Sequence, residues 1–192
     1  MKIAIIDDYE DAFRKASGYS RLAAHEVTVF RDSEKDAVRL AERLGGFEAV
    51  VMTQQRTRLT RTTIERLDTL KLICQTGRNA GHIDLAACAG RGILVSAGGG
   101  GSPAATAELT WGLIIASLRH LPFEVSRLKS GHWQSTAGTL LNGKTLGVYA
   151  YGNIGSRVAA VGKAFGMKVV CWGREASRER AAAAGFGVAA SR

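Results

Sequence analysis

Six residues near the end of the chain have the types and spacing of a phosphate-binding turn. Residues 150 to 155 read Ala-Tyr-Gly-Asn-Ile-Gly. They follow an apolar run, Thr-Leu-Gly-Val-Tyr at 145–149, and open a helix-forming stretch that reaches Gly166. A second apolar run, Met-Lys-Val-Val-Cys-Trp at 167–172, completes a strand–helix–strand unit. In that context G-x-G-x-x-G is a dinucleotide fingerprint. Gly152 holds the middle position, where a bare Cα lets the backbone approach a pyrophosphate. Gly155 holds the third, where the helix packs close to the strand. The first slot holds Ala150, the smallest change that can stand there if φ is negative. The helix start then offers free N–H groups and a partial positive charge to the phosphates. The candidate cofactor contacts are Ala150, Tyr151, Gly152, Asn153, Ile154 and Gly155.

Which dinucleotide is bound follows from the end of the second strand. An NAD site usually has an acid there, roughly 20 residues past the turn, to hold the ribose hydroxyls. Here Gly173 fills that slot, Arg174 follows, and Ser177 and Arg178 are close by; Glu175 comes two residues late. An absent carboxylate beside guanidinium groups favours a 2′-phosphate. Gly173, Arg174 and Ser177 are therefore expected at an NADP site, with NAD as the alternative.

The rest of the chain must position this turn. "KIAII" (2–6), "EVTVF" (26–30), "EAVVM" (48–52), "KLICQ" (71–75) and "ILV" (93–95) read as buried strands. Helical runs separate them. Ser33 is a plausible N-cap for the run that follows it, and Thr62 with Glu65 has capping-box spacing. Alternating strands and helices predict an α/β fold with a parallel sheet covered on both faces. Four glycines at 98–101 then read as a hinge, and Ser102 with Pro103 as a helix start. That helix, 103–119, is apolar over more than one stripe, which predicts burial on several sides. The domain boundary is expected here, with domains at 1–100 and 101–192.

Composition excludes several classes. The net charge of +9 comes from dispersed residues without an aromatic-rich stretch, so a solvated surface with sites for anionic small molecules fits better than nucleic-acid binding. No apolar run approaches the roughly 18 residues of a membrane span. Cys74, Cys88 and Cys171 are odd in number and share no C-x-x-C spacing. They read as reduced core thiols of a cytoplasmic protein, with neither disulfide nor metal site.

Three longer stretches carry a family resemblance. "LKLICQTGRNAGHIDLAACAGRGILV", "SPAATAELTWGLIIASLR" and "GKTLGVYAYGNIGSRVAAVGKAFGMKVVCWGRE" resemble, in that order, motifs of the D-isomer-specific 2-hydroxyacid dehydrogenases. The resemblance covers essentially the whole chain. It implies a flavodoxin-like substrate domain followed by the first half of a Rossmann dinucleotide-binding domain. It implies hydride transfer between NADP or NAD and a small 2-oxo or 2-hydroxy acid in the cleft between the domains. It puts the substrate carboxylate at the loop Gly77, Arg78 and Asn79, with Gln54, Gln55 and Arg56 at the cleft. It puts Thr106 near the nicotinamide, and it implies a homodimer through residues 103–119.

The departures are equally informative. The family's substrate-binding Arg, its proton-exchanging His and the Glu that tunes that His have no match here. His25, His82, His120 and His132 fit none of these roles; His82 stands where the family has an Asn and is expected to support the loop. The resemblance thus implies that the catalytic residues lie beyond Arg192, and that this chain alone is inactive. The alternatives are a non-catalytic, corepressor-like nucleotide-binding module or an inactive gene fragment.

Overall fold

The computed structural model describes residues 1–99 and 101–191. Gly100, inside the glycine run read as a hinge, lies outside the described residues, as does Arg192. The chain forms two compact units, Met1–Gly101 and Ser102–Arg192.

The first unit alternates β1 (Lys2–Ile6), α1 (Ala12–Lys15), β2 (Glu26–Val29), α2 (Ala37–Leu44), β3 (Ala49–Met52), α3 (Arg61–Ile64), β4 (Leu72–Gln75), α4 (Leu85–Gly90) and β5 (Leu94–Ala97). The five strands form one sheet in the order β2-β1-β3-β4-β5, and every pairing is parallel. This is the flavodoxin-like order, whose switch point lies between the first and third strands. In β1, Ile3 to Ile6 are all buried, because helices cover both faces. Ala4, Ile6, Val50, Met52 and Ile73 pack with Leu40 and Leu44 of α2 and with Leu59 and Ile64.

Two expected helix starts differ. Asp36, not Ser33, caps α2, accepting from the Val38 and Arg39 N–H groups at 3.0 and 2.9 Å. Ser33 is committed elsewhere: it donates to Asp7 Oδ1 and sits 2.5 Å from the Tyr9 hydroxyl. The proposed capping box at Thr62 and Glu65 does not form, because Thr60 is the N-cap of α3 and Thr62 lies inside it.

The second unit opens with α5 (Pro103–Leu118) and α6 (Leu121–Lys129), then β6 (Thr145–Tyr149), α7 (Gly155–Ala164), β7 (Lys168–Trp172), α8 (Glu175–Ala183) and β8 (Gly187–Val188). Ser102 does cap α5, accepting from Ala104 N–H at 3.2 Å, with Pro103 in the first turn. The sheet is parallel, in the order β6-β7-β8. Trp111 anchors α5 on α7; its ring lies 5.0 Å from Phe165, and Gly162 leaves room for it. The burial expected on several sides of α5 is not found among the described residues. Only Ala107 and Trp111 are buried, while Leu109 and Leu113 are 64% and 62% exposed. Helix α6, which sequence patterning did not mark, starts at His120 in a left-handed conformation and presents Leu121, Phe123 and Leu128 to the surface. Among the described residues no helix is long and apolar enough to cross a membrane.

One buried residue ties the first unit together. Asp7, just past β1, has φ 61° and is 1% exposed. Its carboxylate accepts from Ser33 and, at 3.0 Å, from Thr57, so it joins the loops after β1, β2 and β3. Its Oδ2 is buried without a partner among the described residues. Asp7→Asn keeps the acceptor and tolerates the left-handed backbone, so its urea midpoint is expected to stay at or above that of the wild type. Asp7→Leu removes the acceptor shared by the Ser33 and Thr57 hydroxyls and strains the backbone, and is expected to cost about 2–3 kcal/mol in the same denaturation.

Candidate binding sites at the ends of the parallel strands

In a parallel sheet every strand delivers its C-terminal loop to the same edge. In the second unit that edge carries the residue 150–155 turn. The carbonyl of Ala150 lies against Gly155 so closely that a Cβ on Gly155 would come within 2.1 Å of it. Glycine is thus obligatory where α7 crosses β6. Ala150 itself has φ 75°. The condition set by the sequence, a negative φ, is not met: alanine occupies a conformation natural to glycine at a cost of about 1–2 kcal/mol. Ala150 is held there by its N–H, which donates to Trp172 O at 2.7 Å. The next N–H, of Tyr151, donates to Ser177 Oγ at 2.5 Å.

Past that point the backbone donors are free. The N–H groups of Gly152, Asn153, Ile154 and Gly155 find no acceptor among the described residues. No side chain caps α7, and the space where a Gly152 side chain would stand is open. Four consecutive donors at a helix N-terminus form an anion site. Hollows flank the turn on both sides. One, of about 530 Å³, is bounded by α5, β6 and the turn, with Thr110 and Ile114 in its wall. Thr106 does not line it; Thr110, one helical turn onward, does. The other, of about 720 Å³, lies beyond the end of β7 and is lined by Gly173, Arg174, Ser177 and Arg180.

Some residues of this second hollow pack against the turn and others are exposed in it. A Cβ on Gly173 would lie 3.1 Å from Ser177 Oγ and 3.3 Å from Ala150 Cα. The slot that usually bears an acid therefore has little room for any side chain. Ser177, expected beside the cofactor, is 8% exposed and holds the turn through Tyr151. Arg174 is exposed, and its guanidinium makes no hydrogen bond or ion pair among the described residues. Arg180, which sequence reasoning missed, also faces the hollow while donating to Tyr151 O at 3.3 Å.

In the first unit the corresponding edge carries the loop after β4. The N–H groups of Gly77, Arg78, Asn79 and Ala80 have no acceptor among the described residues. Asn79 shapes the loop by accepting from Gly81 N–H at 2.9 Å. The loop after β3 docks beside it: Gln54 N–H donates to Thr76 Oγ1 at 2.8 Å, and Gln55 Nε2 lies 3.5 Å from Asn79 O. Gln55, Gly77, Arg78 and Asn79 thus come together. Arg56 is turned away. Its guanidinium donates to Asp7 O at 2.7 Å and stacks 4.6 Å above the Tyr9 ring. Below the loop, His82 supports it through Gln75: Nε2 of the imidazole is 3.2 Å from Gln75 Oε1. Burial, and then the charge of Arg58, lower the pKa of His82, which favours the neutral ring. The buried thiols of Cys88 and Cys171, and the half-buried thiol of Cys74, are pushed up by the same desolvation.

With this geometry established, known proteins supply the context. A profile described as the catalytic domain of D-isomer specific 2-hydroxyacid dehydrogenases matches residues 3–188. The chain belongs to this family. A D-3-phosphoglycerate dehydrogenase of Methanocaldococcus jannaschii is 32% identical over 164 residues, covering 76% of this chain and 31% of that protein. A hydroxypyruvate reductase of Thermotoga maritima is 38% identical over 125 residues, covering 64% of this chain and 41% of that protein. Among solved structures, a phosphoglycerate oxidoreductase of Vibrio cholerae superposes with a TM-score of 0.94 at 46% identity, covering all of this chain and 62% of the other. A D-lactate dehydrogenase of Aquifex aeolicus, solved with NAD and lactic acid, has a TM-score of 0.66 at 27% identity, covering 97% of this chain and 55% of the other. The chain spans between about a quarter and two-fifths of the length of such curated relatives. The α/β fold with parallel sheets is that of the family's substrate and Rossmann domains.

The turn geometry makes two substitutions diagnostic. Gly155→Ala forces a Cβ onto the Ala150 carbonyl and is expected to cost about 3 kcal/mol or more. Ala150→Gly relieves about 1–2 kcal/mol of strain but loses about 0.5–1 kcal/mol to the freer unfolded glycine. A net gain of about 0.5–1 kcal/mol is expected, read as a higher thermal midpoint of the second unit.

Proposed function

We propose that residues 1–100 form a substrate-binding domain and residues 101–192 the opening part of an NAD(P)-binding Rossmann domain, in an oxidoreductase that interconverts a D-2-hydroxy acid and its 2-oxo acid. The observation that carries this reading is the run of four unpaired backbone N–H groups at Gly152–Gly155, at the N-terminus of α7. Such an arrangement suits an anionic group that needs close backbone approach, and a pyrophosphate fits it. The open space at Gly152 supports the fit. The cofactor, when bound, exchanges a hydride with the 2-carbon of the acid. The chain's own contribution is positional. Gly152 to Gly155 hold the pyrophosphate, Ala150 and Tyr151 shape the turn, and Gly173 and Ser177 keep the second strand against it. Gly77, Arg78 and Asn79 hold the substrate carboxylate through backbone N–H groups and the Arg78 charge, with Gln55 beside them.

NADP is the preferred cofactor in this reading. Gly173 has little room for a side chain, so an acid in that slot would have to displace its neighbours, while Arg174 and Arg180 present two guanidinium groups to the same hollow. Three free thiols suit the reducing cytoplasm. Gly152→Val is expected to abolish binding of both nucleotides in a fluorescence titration. Arg174→Ala is expected to narrow the preference for NADPH over NADH by about tenfold, the value of one charge-assisted hydrogen bond. An unchanged preference refutes the role of Arg174, and unchanged affinity in Gly152→Val refutes the site.

The reading includes a homodimer through the 103–119 helix. Leu109 and Leu113 of α5 are both exposed, and Leu128 of α6 and Trp133 beyond it add apolar surface at 55% and 81% exposure. Trp111 is buried against Phe165, so it reports on folding rather than association. Leu109→Arg with Leu113→Arg is expected to yield a folded monomer by light scattering, where the wild type has twice the chain mass.

A further inference from the structure

The last residue of β4 is a glutamine where the pleat calls for a core side chain. Along this strand Ile73 and Gln75 point to the same side, and they are 0% and 3% exposed. A buried primary amide has to place two acceptor sites and two N–H groups. Gln75 Oε1 faces His82 Nε2 at 3.2 Å. With an oxygen opposite, that nitrogen carries the imidazole proton, and the orientation of the amide is set. Gln75 Nε2 then points the other way, towards the loop.

What it points at is Gly77. A Cβ on Gly77 would lie 3.3 Å from Gln75 Nε2 and 3.2 Å from Gln55 Nε2. Two amide nitrogens therefore converge on the bare Cα, next to the unpaired N–H groups of Gly77 to Ala80. Gln75 Nε2 is buried and has no acceptor among the described residues. Native proteins rarely leave such a donor unmatched, and the exceptions call for a cause. The Gln75 amide nitrogen and the loop N–H groups are all donors, and a carboxylate oxygen is an acceptor that would match them. Gly77 puts no side chain of its own between the loop and the Gln75 amide.

We propose that Gln75 contacts the substrate and helps to determine specificity, its Nε2 donating to a carboxylate oxygen of a small 2-oxo or 2-hydroxy acid seated on the Gly77–Ala80 loop, with His82 as the positioning residue that holds the amide. The proposal rests on the reading of that loop as the carboxylate site. A neutral amide at this depth binds a carboxylate without bringing a second cation into the core. An acid at position 75 would repel the same ligand.

The test is a ¹⁵N-resolved titration of the 192-residue chain with hydroxypyruvate at millimolar concentrations. Two sets of signals answer separately. The backbone amides of Gly77 to Ala80 report the loop, and the side-chain NH₂ pair of Gln75 reports the proposed contact. In the wild type both sets are expected to shift with one binding curve. Gln75→Met, similar in volume but without a donor, is expected to weaken binding about tenfold, and Gln75→Glu more. His82→Gln, which keeps an N–H towards Gln75 Oε1, is expected to retain most of the affinity that His82→Leu loses. Loop shifts with a silent Gln75 side chain and an unweakened Gln75→Met overturn the proposal and leave the loop reading standing. No shift in the loop amides overturns both. The wild-type side-chain signal needs no variant, so a variant that fails to fold does not prevent the decision.

Discussion

Parallel strand pairing is the constraint on which the other features depend. All pairings in both sheets are parallel, so each strand's C-terminal loop emerges on one edge of its sheet. Asp7, Gln55 and Gly77 share one edge because β1, β3 and β4 run the same way. Ala150 and Gly173 share the other because β6 and β7 do. An antiparallel neighbour would have sent one member of each set to the opposite edge. The crossovers that parallel pairing needs are helices, and their N-termini start where the strands end. Polar donors therefore collect at this edge, while the apolar faces of the same strands form the cores.

Both candidate sites present mainly backbone N–H groups, which suits them to anions. A hydrogen bond to a charged acceptor is worth about 1.5–3 kcal/mol, and a backbone donor is held in place by the fold rather than by side-chain ordering. Formal charge is added only at the margins, by Arg78 in one unit and by Arg174 and Arg180 in the other. This fits the dispersed positive charge of the chain, in which no segment is a polycationic patch. The arrangement also has costs. Ala150 is strained and Gln75 carries an unmatched buried N–H. Both lie at the strand ends that carry the candidate sites.

Much of the fold and part of the sites were legible in the sequence, and the reasons are physical. Buried parallel strands read as apolar runs such as Ile3 to Ile6, because both faces are covered. The glycine turn was legible because Gly152 and Gly155 meet requirements of backbone geometry that depend on residues within a few positions. The cap at Ser102 with Pro103 is likewise a local event. By contrast, Ser33 was misread as a cap because its real partner, Asp7, is 26 residues away.

The sequence by itself determined the alternation of strands and helices, the turn and its glycines, and the family. Tertiary structure alone decided how the side chains around them are used. Arg56 is adjacent to Gln55 in the chain, yet it turns back to Tyr9 and Asp7 while Gln55 turns to the loop. Gly173 looked like an acid slot left empty, and packing shows it to be a point of close approach to Ala150 and Ser177. Gln75 read only as the last residue of a buried strand, and the structure sets its Oε1 against His82 and its Nε2 beside Gly77. Local rules reach a few residues along the chain, whereas these roles are set by contacts between segments that only folding brings together.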